Sequence, residues 1–220
     1  MKKEELNNLV NNIPNEVDIL GRDKYFHSVV LVPFLEVDGE LHLLFQKRAK
    51  NIRQGGEISF PGGGFDPNLD DDISQTARRE TIEEIGIDNS KVHILKRFHT
   101  VLNPLGNVID VFLGKLDITD IKQLYPNKSE VDYLFTVPFS YFQNTPPQTY
   151  KLKVEVNSQE TDETGNRKIL FPAKALNIPE KYYDTWSGRK LPVYCWQTNN
   201  ETIWGITAEI IFELTKIYGK

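Results

Sequence analysis

Residues 79–87 read Arg79-Glu80-Thr81-Ile82-Glu83-Glu84-Ile85-Gly86-Ile87, and Phe60-Pro61-Gly62-Gly63-Gly64 stands about one helix-length upstream. On a helix turning about 100° per residue, Glu80, Glu83 and Glu84 fall within roughly 100° of arc. Ile82 and Ile85 fall on the opposite side. Like charges at i, i+3 and i+4 repel, at about 0.2–0.5 kcal/mol per pair in an isolated helix. A divalent cation offsets that repulsion, because hard metals take oxygen ligands and Mg²⁺ binds through a few carboxylates plus substrate phosphates. A solvated charged face is the alternative reading, and the upstream residues weigh against it.

Glu57-Ile58-Ser59-Phe60 has strand-like composition, and the glycines after it permit a tight turn and close approach of backbone to a ligand. Asp66, Asp70, Asp71 and Asp72 supply candidate N-caps and negative charge for a helix start. The helix is expected over about 73–85, ending at Gly86, a residue suited to the left-handed C-terminal position. The order is therefore strand, glycine turn, acidic helix, glycine stop. A main-chain carbonyl from the turn and the three glutamates then reach one metal cluster.

The pattern formed by Arg79, Glu80, Glu83, Glu84, Gly86 and Ile87 resembles the Nudix box of hydrolases that cut diphosphates linked to another moiety. Two positions depart from it. Thr81 occupies a usually aliphatic slot, and counting back from Arg79 puts Phe65 at the first glycine and Asp71 at the upstream glutamate. The glycine is thus displaced to Gly64 or Gly63. The segment Leu43-Leu44-Phe45-Gln46-Lys47-Arg48, then Arg53, then Gly56 to Gly63, resembles the approach to the box in coenzyme A pyrophosphatases of the same superfamily. Glu130-Val131-Asp132, Val137-Pro138 and Ile203 to Ala208 are similar to that subgroup too, whereas about 145–200 carries no usable likeness.

The resemblance implies an α/β Nudix fold, a mixed β-sheet sandwiched between α-helices, here with an extra β-hairpin insertion. It implies one hydrolase domain over 1–220, with about 145–200 an insertion or elaborated C-terminal region. Glu80 and Glu84 are the expected ligands of Mg²⁺ or Mn²⁺, with Glu83 a ligand or beside one and a main-chain carbonyl of Gly63 or Gly64 completing the set. Arg79 is expected to ion-pair within the glutamate cluster, and Glu130 is the candidate general base, with a solvated loop glutamate as the alternative. Lys47, Arg48, Lys50 and Arg53 form a basic group in an acidic chain, suited to the extra phosphate of coenzyme A. Phe60 and Gly62 complete the expected substrate side. The implied reaction converts coenzyme A or acyl-coenzyme A to 3′,5′-ADP and (acyl-)4′-phosphopantetheine. ADP-ribose or a dinucleotide is the alternative substrate, and a non-catalytic nucleotide-binding regulator is a third reading.

Composition agrees with a globular enzyme: 39% hydrophobic, 26% charged, net charge −5. The negative balance gives no reason to expect nucleic acid, whose phosphates need a basic surface. The lone cysteine, Cys195, has no partner within the chain for a disulfide, so a reducing cytoplasm is the expected compartment. The first residues lack an apolar signal core, and no run approaches the roughly 18 apolar residues of a membrane span. A homodimer is left open.

Elsewhere, residues 4–12 read as a short amphipathic helix. Strands are expected over 28–35 and 41–46 around an Asp38-Gly39 turn, and over 91–101 and 108–116 around a turn at 104–107. Residues 120–124 suit a short helical turn. Tyr150 to Val156 alternates apolar and polar and is expected to pair with 168–172 across a loop holding Gly165. Ile206, Ile210, Leu214 and Ile217 recur at helical spacing. His27, His42, His93 and His99 lack ligand spacing; Trp186, Trp196 and Trp204 read as core, with stacking on a base as the alternative.

Overall fold

The computed structural model describes residues 10–12, 19–104, 106–198 and 200–218, with only the backbone described at 187 and 189. The expected N-terminal helix falls mostly outside these residues. The chain divides into two compact units, Met1–Pro138 and Phe139–Lys220.

The first unit is built on a seven-stranded mixed sheet. Its strands are β1 (Phe26–Val37), β2 (Glu40–Arg48), β3 (Ile58–Ser59), β4 (Gly62–Gly64), β5 (Val92–Asn103), β6 (Asn107–Leu116) and β7 (Val131–Pro138). The path runs β3-β2-β1-β6-β5, with β4 also on β1 and β7 on β2. Only β1 and β6 pair in parallel among these. The β1–β2 turn is the expected one: Asp38 and Gly39 both take positive φ, 51° and 81°, which matches the twist of a two-residue hairpin. Asp120 caps a short 3₁₀ turn over Ile121–Gln123 by accepting from the Lys122 N–H.

Helix α1 (Ile73–Ile85) begins and ends where its sequence dictates. Asp72 accepts from the N–H groups of Ser74 (2.6 Å) and Gln75 (3.2 Å), and Gly86 takes φ 65° at the C-terminus. Ala77 and Ile85 seal the helix onto Val29, Leu31, Leu44 and Phe112 of the sheet, all buried. Burying a side chain the size of Ile85 contributes about 1.5–3 kcal/mol, and it leaves the opposite face of α1 to the glutamates.

Two expectations need correction. Gly62–Gly64 is not a turn but strand β4, with Gly62, Gly63 and Gly64 opposite Val30, Val29 and Ser28. None of the three has a positive φ. Their use is close approach: a Cβ on Gly62 would fall on the Val29 carbonyl oxygen. The second is the partner of Tyr150 to Val156, which lies in the second unit.

That unit contains β8 (Gln148–Val156), β9 (Gln159–Thr161), β10 (Arg167–Ile169), β11 (Trp186–Gln197) and β12 (Thr202–Trp204), with helices α2 (Phe139–Asn144) and α3 (Gly205–Tyr218). β8 pairs with β11, not with 168–172. The expected hairpin exists in a smaller form, β9 against β10 with Gly165 in its loop. The chain breaks after β8 because Ser158 is buried and spent on other bonds. Its hydroxyl donates to the Tyr183 carbonyl (2.7 Å), while its carbonyl accepts from Leu170 and Phe171. Of the tryptophans expected in the core, Trp196 is there, edge-on to Phe142 with its indole N–H on the Thr145 carbonyl, whereas Trp204 is exposed. Tyr194 stacks on Phe212 of α3.

Candidate active site

The acidic face of α1 lies over β4 and the end of β2. Glu84 is its most buried carboxylate, 4% exposed. One oxygen, Oε2, accepts from the Gly62 N–H (2.8 Å) and the Gln46 side-chain amide (2.9 Å). The other, Oε1, stands 3.8 Å from the Arg48 guanidinium. Burial pushes the Glu84 carboxyl up to about 7, against the pull of Gly62, Gln46 and Arg48.

Glu80 sits one turn back, its side chain 18% exposed and packed over Gly63, where a Cβ would strike the carboxyl group. Burial raises its pKa too; Arg79 opposes the shift, and the charges of Glu83 and Glu130 add to it. Glu83 points outward, 54% exposed. Arg79 ties the group together, donating to Glu80 (2.7 Å) and Glu83 (3.3 Å) through Nη1. The other end of its guanidinium forms a two-point bond to Asp70, at 3.1 and 2.9 Å. Asp70 is buried, accepts also from Thr76 (2.9 Å), and is held below the usual carboxylate range chiefly by Arg79. The residue count from the box points to Asp71, but Asp71 is exposed and bonds only to Gln75 among the contacts described. Asp70, one residue earlier, makes the bond to Arg79 instead, so the departure from the count lies between Asp70 and Arg79.

Other expected residues fall in different places. Arg48 is beside Glu84 and donates through Nε to the Arg53 carbonyl (3.2 Å). Lys47 lies over the Tyr133 ring, and the Arg53 guanidinium over Phe26. Lys50 is exposed. Phe60 is in the core, 3% exposed and stacked on Phe45, so its side chain does not line an open site. Glu130 is half-buried, takes the Asn127 amide at 3.3 Å, and receives the Ala49 N–H on its carbonyl. Asn127 in turn donates to the Glu84 carbonyl (3.0 Å), which ties Glu130 to the C-terminal end of α1.

Sequence reasoning missed Gln46, which follows three apolar residues of β2, Leu43 to Phe45, and is fully buried. It also missed Asp110, fully buried and bonded by His27 of β1, by Arg97 and Thr100 of β5, and by Arg22 from the 3₁₀ turn ahead of β1. Neither carries a local pattern; each is defined by strand neighbours far along the chain.

The donor set of α1 and β4 is all oxygen and suits a hard cation. Among the described residues no three Asp, Glu, His or Cys side chains are drawn into a preformed cage. Arg79 instead neutralises Glu80 and Glu83, and burial favours the neutral form of Glu84. The group therefore fits a cation that arrives and replaces these contacts.

A pH consequence follows for the cation-free protein. The folded Glu84 pKa is raised, so the folded state holds this proton more tightly than the unfolded chain. Its contribution is fully present below about pH 4.5 and is lost as pH rises through about 7. Relative to Glu84→Gln, wild type in chelator should lose on the order of 3 kcal/mol across that window. Urea unfolding of both proteins at pH 4.5, 6 and 8 reads it; parallel stabilities at all three would refute the burial argument.

Three glutamates and an arginine on a helix over a glycine strand, against a mixed sheet, define an α/β protein carrying a Nudix box. The chain belongs to the NUDIX domain family, which matches residues 25–191. It is 35% identical over 125 residues to the mitochondrial coenzyme A diphosphatase NUDT8 of Homo sapiens, covering 56% of this chain and 52% of that protein. The match thus spans about half the length of that relative. An uncharacterized Nudix hydrolase, NudL of Photorhabdus laumondii, is 27% identical over 196 residues, covering 88% of this chain and 86% of that one. The NUDIX domain of Shewanella oneidensis NrtR, complexed with ADP ribose, is similar at a TM-score of 0.44 and 20% identity over 66% of this chain and 89% of that one. No helix among the described residues is long and apolar enough to cross a membrane.

Proposed function

We propose that this chain hydrolyses the pyrophosphate bond of a nucleoside diphosphate derivative. The substrate is coenzyme A or an acyl-coenzyme A, and the products are 3′,5′-ADP and (acyl-)4′-phosphopantetheine. The observation that carries the reading is Glu84, a buried carboxylate beside Glu80, clamped by Gln46 and Gly62 and 3.8 Å from Arg48. The human relative's name supports the choice of coenzyme A, as does the basic end of β2. The family match over residues 25–191 supports reading 1–220 as one hydrolase domain, with about 145–200 as an insertion or elaborated C-terminal region.

Glu80 and Glu84 would hold Mg²⁺ or Mn²⁺, with Glu83 beside them and a carbonyl of Gly63 or Gly64 as the neutral donor. The chemistry such an ion would supply is cancellation of phosphate charge and a lowered pKa for a water molecule. The chain's own residues do the rest. Gln46 and Gly62 fix one oxygen of Glu84, which leaves Oε1 facing Arg48. Arg79 is anchored by Asp70 and keeps Glu80 and Glu83 aligned rather than touching substrate. Arg48 and Arg53 supply positive charge for the phosphates, and Glu130, as general base, takes the proton of the attacking water. The single Cys195 thiol suits a reducing compartment such as the cytoplasm.

The test is product analysis of the pure protein with coenzyme A and Mg²⁺ or Mn²⁺. Release of 3′,5′-ADP is expected. Cleavage of ADP-ribose or a dinucleotide but not coenzyme A would overturn the substrate, and cleavage of none would overturn the hydrolase reading in favour of a nucleotide-binding regulator.

A further inference from the structure

β8 is the terminal strand of the β12-β11-β8 sheet. Its sequence, Tyr150-Lys151-Leu152-Lys153-Val154-Glu155-Val156, puts apolar side chains on one face and charged ones on the other. The apolar row is open to solvent: Tyr150 and Leu152 are each 55% exposed and Val156 44%. A strand of this kind is a template for another strand, and lysines ordinarily blunt such an edge by repulsion. In β8 a glutamate shares the row with the lysines, which changes what a second copy of the chain meets.

A two-fold axis through an antiparallel pair of identical strands sets each residue opposite one equally far beyond the axis. With Val154 on the axis, Lys153 faces the partner's Glu155, and Glu155 faces the partner's Lys153. On the other face Leu152 meets the partner's Val156, and Val154 meets its own counterpart. Moving the axis to Lys153 sets two lysines head to head. Moving it to Leu152 sets Lys151 against the partner's Lys153, and moving it to Glu155 opposes two glutamates. Like charges directly opposite destabilise a pair, whereas opposite charges support it. One register therefore satisfies both rows. Lys153 and Glu155 already touch within one chain, so both reach the same stretch of edge.

We infer that β8 is a dimerisation edge and that its partner is a second copy of this chain, paired antiparallel about Val154. The pairing turns two three-stranded sheets into one of six strands and joins the two apolar rows into one patch. The two-fold symmetry closes the assembly, so it stops at a dimer. The inference is independent of the hydrolase reading, since none of its residues belongs to the glutamate site.

Sedimentation velocity of the full chain reads the mass, expected at twice 25.4 kDa. Lys153→Glu places like charges opposite each other on both sides of the axis and should raise the dissociation constant about tenfold or more. Glu155→Lys should do the same, and the double exchange of Lys153→Glu with Glu155→Lys should restore the dimer. Both side chains are 42% or more exposed, so the variants keep the fold. Register is read by cross-linking under mild oxidation. Val154→Cys should link to itself. Leu152→Cys should not, its counterpart lying about 13 Å along the strand, beyond disulfide reach; mixed with Val156→Cys, it should link. A monomer at every concentration overturns the inference. So does a dimer indifferent to Lys153→Glu, a double exchange that fails to restore, or self-linking through Leu152→Cys in place of Val154→Cys.

Discussion

Glu84→Gln should fold like the wild type and lose about 10³-fold in turnover of the pyrophosphate substrate, in line with removing a group that acts on charge developing in the transition state. The side chain keeps its shape. Its amide oxygen can occupy the position of Oε2 and accept from both Gly62 and Gln46, leaving its NH₂ on the side of Arg48. What disappears is the negative charge, and with it a hard-cation ligand. Mn²⁺ binding followed by titration calorimetry should weaken in step with turnover, while thermal unfolding in chelator should show no loss of stability. Removing a carboxyl that burial drives up to about 7 relieves a desolvation penalty above that pH. A variant with wild-type Mn²⁺ affinity would take Glu84 out of the ligand set. Full activity would take α1 out of the active site.

Much of this was legible because α1 is governed by local rules. Asp72, Gly86 and the isoleucine spacing fix its ends and its buried face within a few residues of chain. The glutamate cluster and its arginine follow from helical geometry alone. The glycine run was harder, since turns and close-packed strands use the same residue. Only the pairing of β4 with β1, more than thirty residues earlier in the chain, decides between them. Asp70 in place of Asp71 was hidden by a shift of one residue upstream of a helix, where no periodicity holds the count. Gln46 and Asp110 reveal themselves only when strands distant in sequence lie side by side. The second unit was least legible: β8 alternates as a strand should, but alternation does not name its partner, and Ser158 ends the strand by bonds to residues from 170 to 183.

The three glycines of β4 should respond to alanine in three different ways. At Gly62 the new Cβ would fall on the Val29 carbonyl oxygen and within 2.7 Å of the Val30 Cα. Both are backbone atoms, so β4 must leave β1, and the Gly62 N–H then leaves Glu84. A loss of about 3 kcal/mol, or a melting temperature lower by about 6–12 °C, is the expected result. At Gly63 the Cβ meets the Glu80 carboxyl group instead, the far end of a flexible side chain. The fold should survive, and activity should fall through the displaced glutamate. At Gly64 the nearest atom is Cζ of Phe26 at 3.8 Å, an ordinary contact, and both stability and activity should stay near wild type. Calorimetry and turnover of the three variants separate strand pairing from glutamate placement. Equal destabilisation of all three would mean the glycines serve only the backbone. A stable Gly62→Ala would mean that β4 does not press against β1 as closely as this geometry requires.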